Sequence, residues 1–225
     1  MGRDNHPRER QAEQLERKKS QRAGYERILI VCEGSKTEPL YFKEIRKEYR
    51  LNTANVEVYP SAFGTEPIQV VQYAKHLFVN GAVELGVRAR AFERVYAVFD
   101  RDDHQSYFNA LALAASLDKK LLNDTKQLIT FNAIASIPSF ELWLLLHYED
   151  IHHILHRDEV MERLKLYIPN YEKGTGGVYA ITQPNLHVAD LRSIRLAGLS
   201  NPHIATEPYT DIYRLVDLLQ KLNQT

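Results

Sequence analysis

The chain contains one cysteine, one tryptophan and two methionines in 225 residues, and its 29 lysines and arginines are balanced by 29 aspartates and glutamates. A single cysteine, Cys32, excludes an internal disulfide and any cysteine-rich zinc site. It precedes Glu33 in an apolar run, so the two side chains point to opposite faces of a strand, and Cys32 reads as an inert core residue. The absence of net charge removes any global field that would drive the molecule onto nucleic acid or anionic lipid, so such contacts must come from local patches. No segment approaches the ~20 apolar residues of a membrane span, and the polar N-terminus has no signal-peptide core. The expectation is a cytoplasmic protein with no membrane association. Its length suits one domain with embellishments.

Two apolar runs stand out, because each stops abruptly in carboxylates. The first, Arg27-Ile28-Leu29-Ile30-Val31-Cys32, runs into Glu33-Gly34. The second, Arg94-Val95-Tyr96-Ala97-Val98-Phe99, runs into Asp100-Arg101-Asp102-Asp103-His104. Short Ile- and Val-rich runs bounded by polar residues read as buried parallel strands. Ligands of open α/β sheets sit beyond the carboxyl ends of such strands. If the two strands are neighbours, Glu33, Asp100, Asp102 and Asp103 converge on one edge. Like charges that close repel and raise one another's pKa, and a hard divalent cation, Mg²⁺ or Mn²⁺, relieves the repulsion. In an extended segment Asp100 and Asp102 share a side and can reach the same ion. Asp103 also suits a helix N-cap.

Between and after these runs, strand and helix signals alternate. Thr37-Glu38-Pro39 opens a helix, Val56–Tyr59 reads as a strand, and Thr65-Glu66-Pro67 opens a second helix. A long helix from about Ser106 to Leu122, a fourth strand over Leu128–Phe131 and a very apolar helix from Ser139 follow. Four βα units argue for an α/β fold, a parallel sheet with helices on both faces. From about residue 151 the pattern becomes helical, ending in a helix from about Thr210, and reads as a C-terminal helical cap on a domain spanning 25–225. Residues 1–24 are polar with mixed charge and form a tail or an exposed helical arm.

The segment Ile28 to Pro39, with Val98-Phe99-Asp100-Arg101-Asp102-Asp103-His104, resembles the RloB-like family. Pro138 to His147 resembles its third motif, and Asn201-Pro202 with Thr210-Asp211-Ile212-Tyr213 its C-terminal signature. The likeness spans about Arg27 to Leu222. That family is in turn similar to Toprim domains, which bind Mg²⁺ through a Glu after the first strand and an Asp-x-Asp after the third. The resemblance implies a Toprim-like (Rossmannoid) sheet with Glu33, Asp100 and Asp102 as the triad. It also implies a metal-dependent nuclease of phage defence or abortive infection, beside an ATPase partner. Toprim nucleases of the overcoming-lysogenization-defect type carry another acid after the first Glu, and Glu38 is the candidate here.

Other residues have claims of their own. Lys36, after Glu33, suits neutralisation of a scissile phosphate. Glu141 is a carboxylate one position inside an apolar helix, either a cap against Ser139 or a further acid at the metal. His104 suits a base or a phosphate contact, and Lys173 in its Gly-rich loop suits a phosphate grip. His152, His153 and His156 lack a companion set for zinc. Three functions follow: a Mg²⁺-dependent phosphodiesterase cutting DNA or RNA, a non-catalytic nucleic-acid or nucleotide-binding subunit of an ATPase, and a receiver-like phosphoacceptor. The last leaves the C-terminal third without a role.

Overall fold

The computed structural model describes residues 26–53, 55–203 and 208–222. The expected N-terminal arm lies outside the described residues. The described chain is an α/β structure built on one sheet: β1 (Ile28–Cys32), β2 (Val56–Pro60), β3 (Arg94–Asp100), β4 (Thr130–Ile137) and β5 (Tyr209–Thr210). The order is β2-β1-β3-β4-β5. β1 to β4 run parallel, and β5 pairs antiparallel with the end of β4. From β1 the chain goes outward to β2 and then returns across to β3. The sheet therefore has its topological switch point between β1 and β3, where ligands of doubly wound sheets bind.

The alternation of strand faces divides the core in two. Ile28, Ile30 and Cys32 point to one face, under α1 (Thr37–Glu48) and the C-terminal helices. Leu29 and Val31 point to the other, under α2 (Pro67–Asn80) and α3 (Tyr107–Leu117). All five β1 side chains are buried, as expected of a strand covered on both faces. Cys32 is a buried free thiol whose pKa is driven up mainly by desolvation, which suits an inert core residue.

After β4 come α4 (Glu141–Leu145), α5 (Arg157–Tyr167), α6 (Val178–Thr182), α7 (Leu186–Leu199) and α8 (Ile212–Lys221). These helices share one apolar cluster with β1 and β3. Its hub is α4, a short helix whose Leu142, Trp143, Leu144 and Leu145 are all fully buried. A helix apolar on every side beyond its first residue belongs inside. The Trp143 indole donates to the Tyr41 hydroxyl at 2.8 Å, and the Tyr41 ring stands edge-on to Phe140 and Tyr179. On α1, Glu44 accepts the backbone N–H groups of Gly177 (2.5 Å) and Tyr179 (2.9 Å), satisfying the start of α6.

The structure moves several expected boundaries. The fourth strand is Thr130–Ile137, displaced from 128–131. Its alternating Asn132-Ala133-Ile134-Ala135-Ser136 lacks the dense β-branched run that marks β1. Leu128 is exposed in a turn, and its pairing is a bridge to Leu122. That same turn ends α3 at Leu117, five residues short of the expected helix. The expected all-helical C-terminal cap contributes a strand: Thr210 and Tyr209 pair with Ser136 and Ile137, and Ser136 and Thr210 share a hydroxyl hydrogen bond at 3.1 Å.

Trp143→Phe removes the buried indole donor and leaves space beside Tyr41. It should cost about 2–3 kcal/mol, which for a chain of this size lowers the melting temperature by roughly 5–10 °C. A thermal scan with a change below 1 °C would contradict the role of α4 as hub.

Candidate functional site

Where β1 and β3 end side by side, the chain places a cleft of about 410 Å³. Register fixes its floor: Cys32 pairs with Val98 and Asp100 with Ser136, so Glu33 and Asp100 leave the sheet at neighbouring points. The Asp100 backbone N–H donates to Glu33 Oε2 at 2.9 Å, tying the two strand ends together. Glu33, Glu38, Asp100, Asp102 and Glu141 all line the cleft, together with Lys36, His104, Arg157 and Lys173.

Each acid arrives by a different local device. Glu38 lies in the first turn of α1, where the helix N-terminus favours a carboxylate. Gly34 makes room for it, since a Cβ there would stand 2.6 Å from Glu38 Oε2. Asp100 is the last residue of β3, and the Phe140 backbone N–H bonds its carboxylate. Asp102 follows in a turn with φ 41°, a left-handed conformation that Asp tolerates better than most residues. The expected extended Asp100-x-Asp102 geometry is therefore replaced by a bend. Arg157, at the start of α5, closes an ion pair on Asp102.

Glu141 is 2 % exposed. The Ser139 hydroxyl donates to its Oε2 at 2.7 Å, the Tyr171 hydroxyl to its Oε1 at 3.2 Å, and Lys173 Nζ stands 3.7 Å away. The two readings of this residue coexist: Ser139 holds it and it lines the cleft. Asp103 departs from the expectation. It is exposed beyond the bend and lines a neighbouring hollow with Ile154 and His156. It does not cap α3 either, since Ser106 occupies that N-cap.

His104, which suits a base or a phosphate contact, has partners that sequence reasoning missed. His104 Nε2 lies 3.4 Å from Glu33 Oε1 and Nδ1 lies 3.2 Å from Glu66 Oε1, while the Ser106 hydroxyl holds Glu66 at 2.6 Å. Arg157 was also missed, lying 55 residues from Asp102 with no local pattern to mark it. The Gly-rich loop after Tyr171 packs on the start of α1: Gly174, at φ 92°, donates its N–H to Thr37 Oγ1 at 3.2 Å. A Cβ at Gly174 would meet the Lys36 stem at 2.9 Å, so only glycine lets the loop set Lys173 beside Lys36. His152, His153 and His156 pair separately with Asp150, Glu159 and Asp158 and form no common site.

Electrostatically the cleft is under stress. Burial first, then Glu38, Glu33 and Glu141, push the Asp100 carboxyl well above its ordinary value. Desolvation also raises Glu33. Glu38 is pushed up to about 7 by burial, with Glu141 and Glu33 adding repulsion. Among the described residues no three His, Cys, Asp or Glu side chains already form a coordination sphere. The donor chemistry, all carboxylate oxygen, with Glu33, Glu38 and Asp100 raised in proton affinity, fits a hard divalent cation once side chains rotate inward.

With the site on the page, its relatives can be set beside it. A family model for RloB-like proteins matches residues 28–219. The chain belongs to the RloB-like family. No curated protein and no solved structure matches it. Among the described residues, no helix is long and apolar enough to cross a membrane.

The raised Glu38 pKa has a definite sign in folding. Below about pH 4.5 both folded and unfolded chains hold the proton; between there and about 7 only the folded chain does, so stability falls as pH rises through that window. Burial lowers His147 to about 4, which makes its contribution grow as pH rises toward 6.5. The difference between wild type and Glu38→Gln removes the His147 contribution and leaves that of Glu38 with its effect on Asp100. In EDTA, the wild type should lose on the order of 3 kcal/mol relative to the variant between pH 4.5 and 7.5. Parallel melting-temperature profiles for the two would contradict it.

Proposed function

We propose that the cleft is a Toprim-like, Mg²⁺- or Mn²⁺-dependent phosphodiesterase centre that cuts DNA or RNA in bacterial phage defence. One observation carries the reading: a buried Asp100 beside Glu33, Glu38 and Glu141 at the β1/β3 switch point, each raising the proton affinity of Asp100. A fold does not retain so costly a cluster for stability, and clefts of mutually perturbed acids are functional candidates. Family membership supports the reading without establishing turnover.

Glu33 and Asp100 would hold the cation, with Glu38 and Glu141 within reach and Asp102 joining once Arg157 releases it. Bound there, a divalent cation supplies charge to a phosphoryl oxygen and lowers the pKa of water. The chain's own residues do the rest. Lys36 and Lys173, held together by the Gly174 turn, bring two positive charges to the mouth for a phosphate. Arg157 exchanges Asp102 for that phosphate, a partner its planar fork matches. Glu33, already gripped by the Asp100 N–H and flanked by His104, is placed to accept a proton from an attacking water.

The Arg157–Asp102 pair also favours a second reading, because a cation side chain already neutralises one expected ligand. In that reading the chain is a nucleic-acid or nucleotide-binding subunit, and an ATPase partner performs the work.

Purified protein, alone and with a candidate ATPase, would be offered labelled DNA and RNA with Mg²⁺, Mn²⁺ or EDTA. Cleavage should need metal, and Glu33→Gln should abolish it with the circular dichroism unchanged. Glu141→Gln should slow cleavage at least tenfold, about 1.4 kcal/mol in the barrier. Unimpaired cleavage by Glu33→Gln would remove that residue from the chemistry, and no cleavage by the wild type under any condition would favour the binding subunit.

A further inference from the structure

α1 carries three acids, Glu38, Glu44 and Glu48, and three bases, Lys43, Arg46 and Lys47, balanced in number but sorted onto different faces of the helix. Glu38, Tyr41, Phe42 and Ile45 form its buried side. Glu44 faces α6, whose first N–H groups it accepts. Lys43 and Arg46 lie on the opposite flank, toward β2, where Arg46 Nη1 donates to the Val56 carbonyl at 3.1 Å. β2 is an edge strand. Along that edge runs a groove of about 520 Å³, and Arg88 reaches it from the far wall.

Two features give this groove its charge. First, no ion pair of the described residues uses Lys43, Arg46 or Arg88: Lys43 and Arg88 are exposed, half-buried Arg46 is held by the Val56 carbonyl, and Arg27, which also lines the groove, is paired with Glu93 and Asp124. Second, the one acid lining it, Glu57, is turned inward to the Tyr59 hydroxyl at 2.8 Å, and burial raises its pKa. The groove therefore presents Lys43, Arg46 and Arg88 against one carboxylate, Glu57, which burial disfavours as an anion and Arg46 and Arg88 favour. It also has a direction. The N-terminus of α1 carries Lys36 and Glu38 in the acidic cleft, and Lys43 follows seven residues later, about 10 Å along the helix axis. That is roughly three nucleotide steps of 3.4 Å.

We propose that the groove between α1 and the β2 edge is a track for the phosphate backbone of a nucleic acid whose strand continues into the acidic cleft. Lys43, Arg46 and Arg88 engage successive phosphates, which contact position a strand and carry no sequence information. The proposal rests on the reading of the cleft as a nucleic-acid centre, and it names where the polymer lies outside that cleft. It also accounts for how a chain of zero net charge holds a polyanion: the cations are segregated onto one flank of one helix and the wall facing it.

The test is equilibrium binding of the full chain to fluorescein-labelled single-stranded DNA, single-stranded RNA and duplex DNA of 20 nucleotides, by anisotropy in EDTA from 50 to 200 mM salt. Lys43 and Arg88 are exposed and form no ion pair among the described residues, so Lys43→Gln/Arg88→Gln should melt with the wild type. It should bind at least tenfold more weakly. The slope of log affinity against log salt should shrink by about 1.4 for single strands and about 1.8 for duplex. Lys165→Gln/Lys221→Gln, which removes the same charge from other helices, should stay within twofold of wild type. Equal affinity and equal slope for Lys43→Gln/Arg88→Gln and the wild type would overturn the track. So would wild-type binding to phosphatidylserine vesicles with none to any oligonucleotide. Binding that depends on Lys43 and Arg88 in a protein that never cleaves with Mn²⁺ would instead retire hydrolysis and leave the track standing.

Discussion

The constraint on which the rest of the structure turns is the burial of the Asp100 carboxylate at the end of β3, 8 % exposed and surrounded by other acids. Leaving an anion there uncompensated is among the costlier things a fold can do. The surrounding architecture answers it in pieces. The Phe140 N–H at the head of α4 bonds the carboxylate, the Asp100 N–H itself holds Glu33, and Lys173 comes within 3.7 Å of Glu141. What these leave uncompensated raises the proton affinity of Asp100, Glu33 and Glu38, and a hard cation is the natural competitor for the same positions.

This accounts for how distant segments meet. The Gly-rich loop between α5 and α6 lies across the start of α1 because Gly174 alone tolerates both its left-handed backbone and the contact with the Lys36 stem. α4 is short and apolar after its first residue, Glu141, and it anchors the Phe140–Glu141 corner against Tyr41 of α1. The small strand β5 pairs with Ser136, which itself pairs with Asp100, so the C-terminal Thr210-Asp211 motif braces the row that carries the buried acid. Of the stretches that resembled family motifs, 28–39, 98–104 and 138–147 thus line one cleft, and the C-terminal one braces it from behind.

The sequence made the strand ends readable for a physical reason: β1 and β3 are covered on both faces, and continuous Ile/Val/Phe runs broken by acids admit few other interpretations. Glu33, Asp100 and Asp102 could be named as cleft residues for that reason, and Glu141 because a carboxylate inside an apolar helix demands a partner. β4 and β5 were misplaced because alanine-rich alternation and a two-residue strand carry little periodic signal. Asp102 lines the cleft, though by a left-handed bend and not by the pleat, and Asp103 points elsewhere for the same reason. Arg157 and Glu66 were invisible because their roles come from tertiary contacts across 55 and 38 positions of chain.

The central claim is that the raised proton affinity of Asp100, Glu33 and Glu38 marks a cation site, and calorimetry tests it most directly. Mn²⁺ and Mg²⁺ would be titrated into the full chain at pH 6.5 in two buffers of different ionisation enthalpy. The account predicts binding with release of at least about one proton per site, seen as a buffer-dependent heat, because the ion displaces protons from Glu38 and its neighbours. Absence of binding by either metal up to millimolar concentration, or binding with no buffer dependence, would contradict it.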